Sequence, residues 1–222
     1  MIYLDKEKTK QYKANINLNN KYELEGEGTY YIFGDAKVIA RDSVNVYAYD
    51  NSKIRAYDNS KVNAFNYSKV TSYDNSTVKA FDNSFVKACG NSTVNAYYDS
   101  IVKAYDNSTV IAHDDSIVKA YDNSTVNAYH DSTVNAYCDS IVRASGNSNI
   151  KAYHDSIVKA SGNSTVIAHD DSIVKACDDS IVNAFDYSKV TAYNNSKVKA
   201  CDDSIESSVE IYDKSYLIDK RG

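Results

Sequence analysis

The residues best suited to hold a metal ion are four histidines and four cysteines. A zinc site needs three or four such side chains converging on one point. The cysteines are Cys89, Cys138, Cys177 and Cys201, and they form neither a Cys-x-x-Cys pair nor a disulfide framework. Their spacing is that of isolated thiols, so the sequence predicts no metal site built on cysteine.

Carboxylates also recur along the chain, in short pairs such as Asp-Asn and Asp-Asp. The calcium-binding loops of β-rolls carry several glycines so that the backbone can wrap the ion, and the pairs here usually lack glycine. We find no nucleophile–base pair, no glycine-rich phosphate loop and no His-Glu-x-x-His motif. We therefore expect no catalytic residues, no metal and no cofactor.

The Asp and Asn pairs belong to an eight-residue repeat, Ala-Tyr-Asp-Asn-Ser-x-Val-x. Ser fills every eighth position from Ser52 to Ser204, and Ala precedes it by four from Ala48 to Ala200, with Ser72 as the exception. Ser, Val and Ala are two residues apart, so they point to one side of a strand. Each octad predicts a short strand with small residues inward, followed by an Asp-Asn corner.

One octad cannot bury its own inner side, so the octads must stack. At several positions, residues sixteen apart tend to be of the same type. One example is Thr77, Thr93, Thr109 and Thr125, followed by Ile141, Ile157 and Ile173. Two walls lined by Ser, Val and Ala can close face to face, whereas a triangular coil would leave an unfilled centre. We predict an all-β, two-sided β-solenoid (β-helix) with about 16 residues per coil from paired eight-residue repeats.

The ends of the chain depart from the repeat. We predict an N-terminal cap at 1–35, the octapeptide-repeat solenoid at 36–205 and a C-terminal cap at 206–222. Glu206 occupies a position that is Val or Ile in the octads. A charge at an inward position opposes pairing of the sheet edge with another chain. Caps at both ends favour a discrete particle over a fibre.

On a sixteen-residue coil, His154 lies one coil from Cys138, with Asp122 and Asp170 in the same column. His130, like His154, replaces the corner Asp, whereas two other histidines replace the Tyr, at His113 and His169. The column resembles half of a metal site. We interpret these residues as variation at a solvated corner.

Tyrosine is the most unusual outward residue, with 21 copies in the chain. Stacked rings gain offset contacts, and Tyr is enriched where proteins bind one another. The alternative role of the row is to shield the margin of the sheet. The predicted interaction strip is Tyr57, Tyr73, Tyr105, Tyr121, Tyr137 and Tyr153.

Composition excludes several classes of protein. The formal net charge of −5 and pI of about 5.4 give no general attraction to nucleic acid or to an anionic membrane. No stretch of the sequence has the apolar length of a membrane span, and the start, MIYLDKEKTKQYK, is not a secretory signal. We expect a cytoplasmic protein.

The octads at 48–207 resemble the repeat of bacterial ice-nucleation proteins, which begins Ala-Gly-Tyr-Gly-Ser-Thr. The shared positions are the Ala, the Ser and the following Thr, at Thr77, Thr93, Thr109, Thr125, Thr133 and Thr165. The resemblance implies a sixteen-residue-per-coil β-solenoid. Ice matching in that family uses paired outward Thr, whereas the pairs here are Thr-Val-Lys, Thr-Val-Asn or Ile-Val-Lys.

The chain is also similar to uncharacterised octad-repeat proteins of gut bacteria and their phages, which implies the product of a mobile element. The leading hypothesis is a non-catalytic repeat scaffold that presents a rigid protein-interaction surface and binds or blocks a host protein. The alternatives are a nucleic-acid mimic or binder, and an ice-binding protein. We expect a protein partner, whose identity the pattern does not give, and a homodimer is also compatible with the pattern.

Overall fold

The computed structural model describes residues 2–3, 21–201 and 208–219, and all regular secondary structure in these ranges is β-strand. The chain divides into two compact units, residues 1–110 and 111–222, and strand β13 (Thr109–Ala112) spans the point of division. None of the described residues belongs to a helix with the length and apolarity needed to cross a membrane.

The first unit contains two parallel sheets, and apart from the first two strands, which lie in the same sheet, successive strands alternate between them. Sheet A1 has the order β1 (Ile2–Tyr3), β2 (Lys21–Leu24), β4 (Lys37–Ala40), β6 (Lys53–Ala56), β8 (Lys69–Ser72), β10 (Phe85–Ala88) and β12 (Ile101–Ala104). Sheet B1 has the order β3 (Glu27–Ile32), β5 (Ser43–Ala48), β7 (Lys61–Ala64), β9 (Thr77–Ala80) and β11 (Thr93–Ala96).

The second unit repeats this arrangement. Sheet A2 has the order β14 (Ile117–Ala120), β16 (Thr133–Ala136), β18 (Asn149–Ala152), β20 (Thr165–Ala168), β22 (Ile181–Ala184), β24 (Lys197–Ala200) and β26 (Tyr216–Asp219). Sheet B2 has the order β15 (Thr125–Ala128), β17 (Ile141–Ala144), β19 (Ile157–Ala160), β21 (Ile173–Ala176), β23 (Lys189–Ala192) and β25 (Ser208–Ile211).

The register between neighbouring strands is sixteen residues through the repeat. Val62 pairs with Val78 in sheet B1, and Val142 pairs with Val158 in sheet B2. The backbone ladder continues beyond the strand ends, since the Lys53 amide donates to the Ala36 carbonyl at 2.8 Å. The predicted two-sided β-solenoid with about 16 residues per coil is therefore confirmed, with successive strands alternating between the two sheets from β2 onward.

In the octads, the interior of each unit is made mostly of the three small residues fixed by the repeat. The Val, Ala and Ser positions are almost fully buried, as at Val86, Ala88 and Ser84, each 0% exposed. Burial of a Val side chain contributes about 1.5–3 kcal/mol relative to leaving it in water. Larger side chains enter the interior at a few places, since Ile54 and Ile150 take the Val position, and Leu24 lies in register with Ala40. Elsewhere in the octads the Ala position is enclosed by Ala on the neighbouring strands, as Ala152 is by Ala136 and Ala168, which leaves little room for a larger residue.

The buried Ser hydroxyls lie beside the turn. In Ser164 and Ser180 the Oγ donates to the carbonyl three residues earlier, at 2.7 Å in both cases. At thirteen other positions, Ser52 among them, the Oγ has no hydrogen-bond partner among the described residues. The Ser52 amide lies 3.3 Å from the Tyr49 carbonyl, so the same acceptor is within reach of its hydroxyl by rotation about χ1.

The corners depend on left-handed backbone, which Asp, Asn and Gly tolerate better than other residues. Both central residues of the corner at Asp82 and Asn83 have positive φ, 48° and 59°, as in type I′ turns. The corner Asp also bonds to the preceding coil. The Asp42 carboxylate accepts the Gly26 amide at 2.7 Å, and the Asp106 carboxylate accepts the Gly90 amide at 3.2 Å.

Strand pairing reaches into the stretches predicted to be caps. Strand β2 pairs with β4, and β3 with β5, in the sixteen-residue register of the octads. At the other end the register is nineteen residues, since Lys189 pairs with Ser208 and Lys197 with Tyr216. Glu206 lies outside the described residues, and the role of 1–35 and 206–222 as caps stays a prediction.

The close packing of the interior generates a matched pair of substitutions on one strand. Ala152 is fully buried, whereas its neighbour Lys151 faces solvent. We expect Ala152→Leu to destabilise the fold by about 1–3 kcal/mol through overpacking. Lys151→Leu should change stability by no more than about 0.5 kcal/mol. Urea unfolding followed by far-ultraviolet circular dichroism measures both, and equal losses would contradict an interior filled by small residues.

Candidate functional site

Five of the six tyrosines of the predicted interaction strip lie at corners that lead from sheet A1 to B1 or from A2 to B2, and Tyr105 lies at the corresponding corner between β12 and β13. In the first unit the rings of Tyr57 and Tyr73 stack with their centres 4.8 Å apart. The next position of the row is Cys89, which carries no ring. Tyr105 follows it, and Lys87 Nζ lies 5.0 Å from the Tyr105 ring centre. In the second unit Tyr137 stacks on Tyr121 at 5.0 Å and on Tyr153 at 5.1 Å.

A second aromatic row occupies the opposite corners of the first unit, and sequence reasoning did not single it out. Its members Phe33, Tyr49, Phe65, Phe81 and Tyr97 stack at 4.9–5.1 Å with interplanar angles of 8–9°. Partial burial raises the pKa of the Tyr49 phenol above its ordinary value, with a smaller contribution from the neighbouring Tyr31 and Tyr47. The sixteen-residue spacing of these aromatics is the signal that identifies the row.

Stacking determines what the aromatic rows can contact. All six tyrosines of the predicted strip are only partly exposed. A ring such as Tyr137, stacked on both sides, has its faces covered by its neighbours and offers only its edge and hydroxyl to a partner. The rows therefore stabilise the corners, and their use as a contact strip stays a prediction.

Sheet A1 carries a column of cations on its outer face, which we call the basic column: Lys37, Lys53 and Lys69. Lys53 lies between the other two in strand register. Arg55 is two residues beyond Lys53 on the same strand, and these four side chains line a shallow groove of about 500 Å³ together with Ile39 and Thr71. The ammonium groups repeat at about the strand spacing of 4.8 Å.

No carboxylate forms an ion pair with the basic column in the described part of the chain. Lys37, Lys53, Arg55 and Lys69 are all exposed. Asp42 and Asp58 lie at the corner that follows these strands and accept backbone amides of the preceding coil. The column is a local region of positive potential in a chain whose net charge is negative. Lysines at sixteen-residue intervals were the sequence signal for it, and sequence reasoning missed it.

The histidines and cysteines are dispersed. His154 Nδ1 lies 3.4 Å from Asp170 Oδ2, and His169 Nδ1 lies 3.3 Å from Asp186 Oδ2. Burial raises the pKa of the Cys89 thiol, so this thiol is less reactive than a free one at neutral pH. Within the ranges that the structure covers, no three His, Cys, Asp or Glu side chains are grouped so that they could hold a metal ion.

No family model, curated protein or solved structure gives a match to the chain. The candidate site is therefore defined by its geometry, namely the basic column and the two aromatic rows.

The aromatic rows generate a second matched pair of substitutions. We expect Tyr137→Ala to destabilise the protein by about 1–3 kcal/mol, because it removes two stacked contacts of about 0.5–1.5 kcal/mol each. Tyr67→Ala is the control, since this side chain is 64% exposed, and we expect a change within about 0.5 kcal/mol. The measurement is the free energy of unfolding in urea, and a neutral Tyr137→Ala would show that the stack does not support the corner.

Proposed function

We propose that the protein is a non-catalytic repeat scaffold that presents a rigid surface to a protein partner. The observation that carries the proposal is the contrast between the two sides of each strand. In the octads the inward residues stay Ser, Val or Ile, and Ala, with Ser72 as the one exception at the Ala position, while the outward residues change in charge and size along the chain. The constant residues hold the backbone, and the variable ones are free to recognise a partner.

Rigidity favours this function. The outward side chains stand on strands whose backbone amides and carbonyls are paired with both neighbouring coils, as in the row β6, β8 and β10. Side chains held at fixed spacing lose little freedom on binding, and preorganisation of this kind increases affinity. The resemblance to octad-repeat proteins of phages adds the proposal that the partner is a host protein, which the scaffold binds or blocks in the cytoplasm.

The basic column is the part of the surface best suited to specific contact. Its cations are exposed and form no ion pair among the described residues, so a partner can contact them without breaking an existing ion pair. A protein with a line of carboxylates would complement the column in charge and would associate faster through electrostatic steering. We assign the partner contact to this column, on the outer face of sheet A1.

Nucleic-acid binding is a second candidate, and the basic column is the observation that favours it. Single-strand binders place free aromatic faces beside a basic groove so that bases can stack on them. Here the aromatic rows at the corners are stacked on themselves, as Tyr57 is on Tyr73. The geometry therefore favours a protein partner over a nucleic acid.

Affinity capture from a bacterial lysate with matched baits tests the proposal. The first variant, Lys53→Glu with Lys69→Glu, reverses two charges of the basic column. The control, Lys61→Glu with Lys79→Glu, makes the same change in charge on sheet B1 of the same unit, where both lysines are exposed. We expect one protein to be enriched equally by the natural chain and the control, and at least tenfold less by the first variant.

Equal capture by all three baits, or no enriched protein, would count against the proposal. Nuclease treatment of the lysate separates the second candidate, because capture that disappears with nuclease comes from nucleic acid. In that case a gel shift with the purified chain should weaken steeply as salt is raised, since phosphate contacts release counterions.

A further inference from the structure

The outward residues of the octads come in two correlated types. In the described part of the chain, each Ile that begins a strand in the octads is preceded at two residues by Asp, as in Asp155-Ser-Ile157. Where Asn stands two residues before the strand, the strand begins with Thr, Lys or, less often, another residue, as in Asn123-Ser-Thr125. The residues with this pattern are Asp99 and Ile101, Asp115 and Ile117, Asp139 and Ile141, Asp155 and Ile157, Asp171 and Ile173, and Asp179 and Ile181.

Three of these octads are consecutive in one sheet. Strands β17, β19 and β21 of sheet B2 pair in register, so Ile141, Ile157 and Ile173 form a column at the strand spacing. Ile157 and Ile173 are each 45% exposed, which is unusual for an isoleucine. In the described part of sheet A2 the first outward position changes from Ile117 to Thr133, so no such column forms there.

Opposite charges lie on the two sides of the isoleucine column. Asp139, Asp155 and Asp171 precede it by two residues, and Arg143, Lys159 and Lys175 follow it by two. The Val between each Ile and its basic residue is buried, so the isoleucine and basic columns lie on the outer face of the sheet, and the Asp column lies at the exposed corner that precedes it. All six charged residues are exposed, and none of them forms an ion pair within the described ranges. Lys175 Nζ lies 4.8 Å from the ring centre of Tyr193.

This surface, the acid–isoleucine–base face, is complementary to itself. A two-fold axis along the isoleucine column places the column of one copy on that of a second copy. The same rotation exchanges left and right, so Asp155 of one copy meets Lys159 of the other, and Lys159 meets Asp155. A two-fold axis along the strands would instead oppose Asp to Asp, so only the first arrangement is favoured.

We propose that the acid–isoleucine–base face is the dimer interface between two copies of this chain. Its three strands cover roughly 200 Å² per copy, from about 4.8 Å between strands and 3.3 Å per residue. A standard interface covers about 800 Å² per partner, so the dimer is weak and reversible. Lys189 occupies the next position of the isoleucine column, on β23, and would face its own copy across the axis. It limits the interface to three strands.

Charge reversal with complementation tests the interface. The acidic variant carries Lys159→Glu and Lys175→Glu, and the basic variant carries Asp155→Lys and Asp171→Lys. Each variant opposes like charges to itself, so we expect its homodimer to be at least tenfold weaker than that of the natural chain. A mixture of the two opposes unlike charges at every site, so the heterodimer should form at least as well as the natural dimer. Sedimentation equilibrium at high protein concentration and low salt measures all four dissociation constants.

A matched set of controls separates this interface from general attraction between oppositely charged proteins. Lys151→Glu with Lys199→Glu, and Asp131→Lys with Asp179→Lys, make the same changes on sheet A2 and on the opposite corners. Asp131 and Asp155 both have φ of 56°, so the corner strain is also matched. The control variants should dimerise like the natural chain, and mixing them should give no gain in affinity.

A gain-of-contact variant checks the limit set by Lys189. Lys189→Ile extends the isoleucine column, so we expect at least threefold tighter dimerisation, whereas Lys197→Ile on sheet A2 should give none. A natural chain that stays monomeric throughout the concentration range overturns the interface. So does a mixture of acidic and basic variants that associates no better than the mixed controls. Neither result depends on whether a host protein binds the basic column.

Discussion

The narrow gap between the two sheets is the constraint on which each unit depends. In the octads Ser, Val and Ala fill it, with Ile54 and Ile150 at the Val position, and Val142 and Ala160 are typical in being almost fully removed from water. Since one strand contributes so little apolar surface, the backbone ladder between coils and the stacked aromatics at the corners must supply much of the stability. The eight-residue repeat is the sequence form of this constraint, because it returns the same three small residues to the gap on each side of every coil.

The same constraint produces the outer surface. Strands held in exact register place chemically similar residues above one another, so a single substitution pattern becomes a column of charges, rings or isoleucines. The basic column of sheet A1 and the acid–isoleucine–base face of sheet B2 are both columns of this kind. A flat array of columns provides many weak contacts at a fixed spacing. That property suits recognition of another protein surface, and it explains why the interior is uniform while the outside varies.

Much of the fold could be predicted from the sequence, because alternation at two residues identifies the inward side and the Thr77-to-Ile173 row identifies the sixteen-residue coil. The hydrogen bond that the Gly26 amide donates to the Asp42 carboxylate could not be predicted, because it depends on a left-handed corner that exposes an amide one coil away. The nineteen-residue register at Ser208 also lay beyond the octads. For the surface, the tyrosine row was identified, whereas the basic column was missed although its lysines recur at sixteen residues.

The most direct measurement is cross-linking between engineered cysteines in a chain whose four native cysteines are replaced by serine or alanine. Thr77 and Thr93 are register partners on adjacent strands of sheet B1. Their Cα atoms lie about 4.8 Å apart, within the range that a disulfide spans. Phe85 is closer in sequence but lies on sheet A1 and faces outward. The account predicts a disulfide between cysteines at 77 and 93 and none between 77 and 85. A disulfide between 77 and 85, or none in either pair, would contradict it.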